Sequence, residues 1–264
     1  MIDKDSNTYF GRMVDMNQII ETLLAHRSIR QLQDKPLTKE QVELIVASAQ
    51  AASTSSYIQA YSIIGITDSA KKKKLAELAG NQNYVEKNGH FFVFCGDLHR
   101  HELAGNMEEK EVTDSIESTE KFMVMLIDTA LAAQNAAIAA ESLGLGICYI
   151  GGIRNRLDEV CDLLNTPKRV IPLFGMAVGY PEKVTDQKPR LPLVHIYHEN
   201  EYEQDEVVYK QQLKEYNKVI SRYYYERTKG KRDDTWTSQI AGMLEKQSRM
   251  YMHDYIKKHG LNLK

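Results

Sequence analysis

The stretch from Glu120 to Leu143 constrains the fold more than any other part of the chain. It reads as one long helix, rich in alanine and apolar on nearly every side, stopped by Gly144 and Gly146. A surface helix carries one apolar stripe, whereas a helix apolar all round belongs at the centre of a fold or at a subunit interface. Asp128, Gln134, Asn135 and Glu141 break the apolar stretch Phe122 to Leu145, which argues against a membrane span.

Short apolar runs supply candidates for the sheet beneath such a helix. Phe91–Cys95, Ile147–Ile150 and Leu173–Val178 read as buried strands, Tyr61–Ile66 as a β-rich run, and Val194–Tyr197 as a further strand. Residues 16–25 have helical spacing after Asp15, a candidate cap. Thr38-Lys39-Glu40-Gln41 has the form of a capping box that opens a helix through about Ala51. Asp68 caps a helix through Ala79, closed by Gly80, with Lys71–Lys74 on a solvated face. Residues 102–119 turn acidic and irregular. After His198 come two amphipathic helical stretches, 205–226 and 235–258, with a basic loop between them containing Arg227, Lys229, Lys231 and Arg232. The order lacks regular βαβ alternation, so α+β is favoured over a doubly wound sheet.

The chain has 264 residues and a net charge of -2. That balance gives no electrostatic reason to expect nucleic acid or an anionic membrane as the main partner. Three cysteines, Cys95, Cys148 and Cys161, form no CxxC pair, and no apolar leader follows the first charges. Reduced thiols and a cytoplasmic location are the expectation.

Two clusters carry candidate chemistry. His26-Arg27-Ser28-Ile29-Arg30 and Lys188-Pro189-Arg190 are dense in donors that fit a phosphate. Brought together, they would grip a phosphorylated cofactor and stabilise added negative charge on it. Ordinary surface cations are the plainer reading of each cluster alone. Ser53-Thr54-Ser55-Ser56 either ends a helix or offers a polar edge to a ring. Tyr149-Ile150-Gly151-Gly152 is either a tight turn or a place where backbone approaches a flat ligand. No Walker-type loop is present, and Gly144-Leu145-Gly146 follows a helix instead of opening one, unlike a dinucleotide fingerprint. His99-Arg100-His101-Glu102 is the densest group of metal-ligand types, but it lacks a spaced partner and reads as a surface loop; no metal is expected.

At these residues the chain resembles the flavin reductase and oxygen-insensitive nitroreductase family, in its NADPH-linked major-nitroreductase branch, flavin reductase P-like, and is especially similar to Gram-positive FMN reductases. The segments that carry the resemblance are HRSIR (26–30), AASTSSYIQAYSIIGITD (51–68), GNQNYVEKNGHFFVFCGDLHRH (80–101), AAQNAAIAAESLGLGICYIGGIRN (132–155), PLFGMAVGYP (172–181), KPRLP (188–192), YHEN (197–200) and KRDDTW (231–236). The resemblance implies a central mixed or antiparallel sheet flanked by helices in an intertwined homodimer. It implies one nitroreductase-like domain over 1–264, with 200–264 a helical arm against the partner.

By position, the resemblance assigns His26, Arg27, Ser28 and Arg190 to an FMN phosphate, and Arg30 and Lys188 to the N1/O2 edge or tail. Thr54, Ser55 and Ser56 would line the ring from the other subunit, and Gln82 would bond its polar edge. The Tyr149–Gly152 segment, through Ile150, Gly151 and Gly152, would bring backbone near N5. Arg154, Arg227, Lys231, Arg232 and Arg249 would meet NADPH phosphates, although the basic loop is not spaced as in the best-known nitroreductases. The implied activity is hydride transfer from NADPH to bound flavin, then two electrons to flavins, nitroaromatics, quinones or oxygen, by ping-pong kinetics with no protein nucleophile. A flavin-binding sensor, a phosphate-ester enzyme and a nucleic-acid module acting through 227–232 are the alternatives.

Overall fold

The computed structural model describes residues 17–264. Asp15 lies outside them; the first helix, α1 (Gln18–Leu24), is capped by Asn17, whose side chain accepts from Ile20 N. The capping box forms as read, with Thr38 and Gln41 exchanging bonds at the start of α2 (Lys39–Gln50). A single 3-10 turn over Ser55–Tyr57 leads into β1 (Tyr61–Ile66). Asp68 accepts from Lys71 N to cap α3 (Ser69–Leu78), and one turn, α4 (Asn83–Glu86), precedes β2 (His90–Asp97).

The segment 102–119, read as irregular, is largely helical. It holds α5 (His99–Met107) and α6 (Thr113–Ile116), so His99–Glu102 lies in a helix and not in a loop. The long helix is α7 (Thr119–Ser142), capped by Ser118. Then follow β3 (Gly146–Ile150), a 3-10 turn over Gly151–Asn155, α8 (Leu157–Leu164) and β4 (Val170–Gly179).

Among the described residues the strands form one sheet in the order β1-β2-β4-β3, antiparallel throughout. A parallel bridge between Ser28 and Ile147 adds the mixed element. The ladder slips one residue where Phe94 and Cys95 face Phe174 and Pro172, leaving Leu173 without a partner strand residue.

The buried stripe of α7 (Met125, Asp128, Thr129, Ala132, Ala133, Ala136, Ala137, Ala140) packs toward β2 and β3 with Phe92, Phe94 and Ile147. On its other side Met123, Ile127 and Leu131 are about half exposed, so the helix is core on one face and open on the other. Lys72 departs from the solvated face expected for Lys71–Lys74: it is buried and donates to Asn88 O at 3.1 Å.

The chain divides into two compact units. Among the described residues, those from Asn17 to Thr185 with Tyr251–Lys264 form the first, and Asp186–Met250 the second. Within the second, Val194–Tyr197 forms no strand; Leu193–His195 is a 3-10 turn after Pro192. This unit holds α9 (Glu206–Arg227) and α10 (Trp236–Leu244). The helix expected over 235–258 is interrupted at 245–251 and resumes as α11 (Met252–Lys258) in the first unit. There Leu263 N donates to Glu117 O, fastening the last residues near the start of α7.

Candidate functional site

The first cluster sits against the open edge of β3. Ile29 N donates to Ile147 O at 2.8 Å, and the Ile29 side chain is buried where Gly146 leaves room for it. That anchor fixes Ser28 and Arg30 on either side. Arg30 is exposed, and its charge lies by the Tyr84 hydroxyl and the Cys148 thiol. Burial pushes the Tyr84 hydroxyl up and Arg30 draws it partly back; burial likewise raises the Cys148 thiol against Arg30 and Ser28. Tyr84 in turn donates to Gln82 Oε1, and Gln82 Nε2 donates to Ala79 O at 2.9 Å. Gly152 closes the group, because a Cβ there would lie 2.3 Å from Ala79 O and 3.0 Å from Gln82 Nε2. Packing within the chain, rather than a ligand, therefore requires that glycine.

The fold thus gathers Ser28, Arg30, Gln82 and Gly152 from three separate segments. His26 Nδ1 lies 2.7 Å from Glu141 Oε1 at the C-terminal end of α7, and Arg27 Nε donates to Ala25 O. Tyr149 does not offer its side chain: its hydroxyl donates to Ala133 O at 2.7 Å, and burial pushes its pKa far up. Arg154 donates to Leu173 O, the carbonyl freed by the slip in β4, and borders an apolar cleft of about 300 Å³ with Phe122, Leu126, Phe174 and Met252.

Thr54, Ser55 and Ser56 lie elsewhere. They precede β1, on the opposite edge of the sheet from β3. Three strand spacings, roughly 14 Å, separate the two edges. One chain does not bring this loop beside the Arg30 cluster. The loop is held from below by Asp128 on α7, whose carboxylate accepts from Ser55 N and Ala60 N, each at 3.0 Å.

The remaining cations belong to the second unit. Lys188 Nζ lies 5.2 Å from the centroid of the Tyr224 ring and Arg232 Cζ 4.6 Å from it, so one aromatic carries both. Arg232 also pairs with Asp234 at 2.7 Å. Arg227 donates to the Tyr223 hydroxyl. Arg190 is exposed near Tyr216, whose hydroxyl donates to Pro189 O at 2.9 Å. Lys231 is exposed, and Arg249 has a left-handed backbone at φ 53°.

The sequence profile described as "Nitroreductase family" matches residues 23–180, and that of "Nitroreductase family, C-terminal domain" matches 188–264. The chain belongs to the nitroreductase family. It is 56% identical over 247 residues to "FMN reductase (NADPH)" of Bacillus subtilis (strain 168), spanning 94% of this chain and 99% of that one. The solved structure of B. megaterium NfrA1 is 61% identical with a TM-score of 0.93, covering 93% of this chain and all of that chain. An NADPH:FMN oxidoreductase from Vibrio harveyi, complexed with NAD+, is 38% identical with a TM-score of 0.84, over 94% of this chain and all of that one. The α+β nitroreductase fold expected from the sequence is the fold observed.

The donor set of this nitroreductase fits a phosphorylated flavin. Among the described residues, neither Arg27 and Arg30 in the first unit nor Lys188 and Arg190 in the second have a carboxylate within ion-pair distance, so the charge on each unit is available to an anion. Three residues that support the candidate residues were not read as site residues from the sequence: Tyr84 between Arg30 and Gln82, Glu141 against His26, and, at the opposite edge of the sheet, Asp128 beneath the serine loop. Asp128 and Glu141 had a legible signal, namely carboxylates inside an otherwise apolar helix. Tyr84 had none beyond its place two residues after Gln82.

Proposed function

We propose that this chain is an FMN-dependent, NADPH-driven reductase that works as a homodimer. The observation that carries the reading is the 56% identity to an NADPH-linked FMN reductase across nearly the full length of both chains. Nothing favours the sensor alternative.

FMN, when bound, would supply the two-electron redox chemistry between NADPH and a second substrate. The chain's residues hold and bias that group. Arg27, Ser28 and Arg190 hold the phosphate, with His26 kept beside them by Glu141. Arg30 and Lys188 would set positive charge against the N1/O2 edge of the flavin, and as fixed cations they would stabilise added negative charge more effectively than water. Gln82 and the backbone of Ile150–Gly152 would orient the ring. The bonds from Gln82 to Ala79 and Tyr84 make that support rigid. Arg154, Arg227, Lys231, Arg232 and Arg249 receive the phosphates of NADPH.

The site is composite. The sheet puts Thr54–Ser56 and the Arg30 cluster at opposite edges, so a second chain is what supplies the serine loop to each flavin. The half-exposed stripe Met123, Ile127 and Leu131 on α7, with Ile19, Leu23 and Leu24 on α1, is the apolar surface such a partner covers. Of the arm expected over 200–264, the part through Met250 is the segment set against the partner, since 251–264 belongs to the first unit, and the enzyme works in the cytoplasm. Leaving one ring face open in turn to donor and acceptor gives ping-pong kinetics.

The visible spectrum tests the reading. Protein reconstituted with FMN shows flavin bands that bleach promptly on anaerobic NADPH and return with an acceptor. Retention of FMN without bleaching refutes the reductase, and failure to take up FMN refutes the cofactor.

A further inference from the structure

Asp128 is wholly buried in the middle of α7. A carboxylate so placed is costly unless hydrogen-bonded, and both its oxygens are used on one short loop. Oδ1 accepts from Ser55 N and Oδ2 from Ala60 N, both at 3.0 Å. Between these anchors Ser56, Tyr57 and Gln59 have φ values of 49°, 59° and 54°, and none is glycine. That left-handed backbone is disfavoured for ordinary side chains and persists only where the surroundings enforce it. A third anchor comes from α5, where His101 Nε2 donates to Ile58 O at 2.6 Å.

The loop is fixed from within and offered outward. Ser55, Ser56 and Gln59 are exposed, and Tyr57 is 82% exposed although its backbone is strained. Core packing does not require an aromatic there, so the conformation serves whatever meets the loop from outside.

We propose that Asp128 is a positioning residue: its carboxylate presets the Thr54–Tyr57 loop in the shape that closes over the flavin bound to the partner subunit. This rests on the flavin reading above. The carboxylate is suited to the task because its two oxygens each accept from a different backbone donor, whereas an amide of the same length has one acceptor oxygen and presents a donor in place of the other.

The test uses full-length dimer with Asp128→Asn and Asp128→Ala. FMN affinity is read from quenching of flavin fluorescence at 25 °C, and hydrogen exchange of residues 54–60 is followed without FMN. The Asn variant keeps one acceptor and faces the second N–H with an amide donor. FMN dissociation constants are expected to rise about tenfold for Asn, equivalent to ~1.4 kcal/mol, and further for Ala, with faster exchange in the loop. A merely structural role lowers the melting temperature but leaves affinity unchanged far below it. Affinity within twofold of the parent in folded Asp128→Asn overturns the proposal, as does unchanged loop exchange. If neither Asp128 variant folds, His101→Phe releases the third anchor, with the same two outcomes. Absence of FMN uptake by the parent protein overturns the flavin reading and this proposal together, whereas parent uptake with an unaltered variant overturns the clamp alone.

Discussion

The adjacent glycines after β3 make different demands, and substituting each by alanine separates packing from ligand contact. Neither has a positive φ, so alanine is acceptable to the backbone at both. At Gly152 the added methyl lies 2.3 Å from Ala79 O, where ordinary contact begins at 3.4 Å, so the backbone must move by about an ångström. Ala79 is the C-cap of α3 and is 1% exposed, so it has no room to yield. Overpacking of this kind costs about 1–3 kcal/mol, and here the upper half applies because the obstacle is main chain. The smaller entropy of the unfolded alanine variant returns about 0.4–1 kcal/mol. The net loss is about 2 kcal/mol, or a fall of roughly 4–8 °C in melting temperature for a chain of this size. At Gly151 the methyl meets only the far end of Arg154, Nη2 at 3.3 Å. Gly151→Ala is therefore expected to melt at or slightly above the parent. Gly151 is half-buried, and under the flavin reading its backbone is what meets the ring, so this variant loses FMN affinity without losing stability. Differential scanning calorimetry of the apo proteins and flavin fluorescence titration supply the two readouts. Equal melting of Gly152→Ala and parent would refute the packing argument, and parent-like FMN binding by Gly151→Ala would refute the backbone contact.

Two further outcomes follow from the first unit. His90 is pushed down to about 4, by burial first and by the Lys72 charge second, and its Nε2 has no partner among the described residues. The unfolded chain takes up that proton near pH 6.5 and the native state does not until about 4, so stability is full above 6.5 and drains away as pH falls through that window. The loss by pH 4 is on the order of 3 kcal/mol; in urea titrations at pH 4.5 and 7.5, His90→Phe is expected to narrow the difference, and an unchanged difference counts against His90 as its source. Ile127→Glu places a charge in the middle of the exposed α7 stripe; light scattering after gel filtration is expected to show a monomer with little FMN, and a flavin-loaded dimer would move the interface elsewhere.

How far the sequence carried the fold depends on whether the signal was local. The capping box at Thr38, the cap at Asp68 and the boundaries of β1 and α7 are decided by nearby residues; the first three lie where the pattern put them, and α7 begins and ends one residue earlier than read. Val194–Tyr197 has strand composition, but β structure needs a neighbour to pair with, and composition does not supply one. The interruption of the 235–258 helix contains neither glycine nor proline; it falls where the chain passes from one compact unit to the other, a tertiary event that overrides propensity. Lys72 was hidden by its lysine neighbours, yet it stands three, four and seven residues before the buried Leu75, Ala76 and Ala79, so helical spacing alone places it on the inner face. Asp128 follows the same rule, four residues before buried Ala132, so a carboxylate on the core stripe was legible. What it binds was not, because Ser55 and Ala60 are some seventy residues earlier in the chain. The candidate site is harder again. Its serine loop and its arginine cluster occupy opposite edges of the sheet, so no periodicity within one chain relates them; under the flavin reading proposed above, a second copy of the chain is what would bring them together.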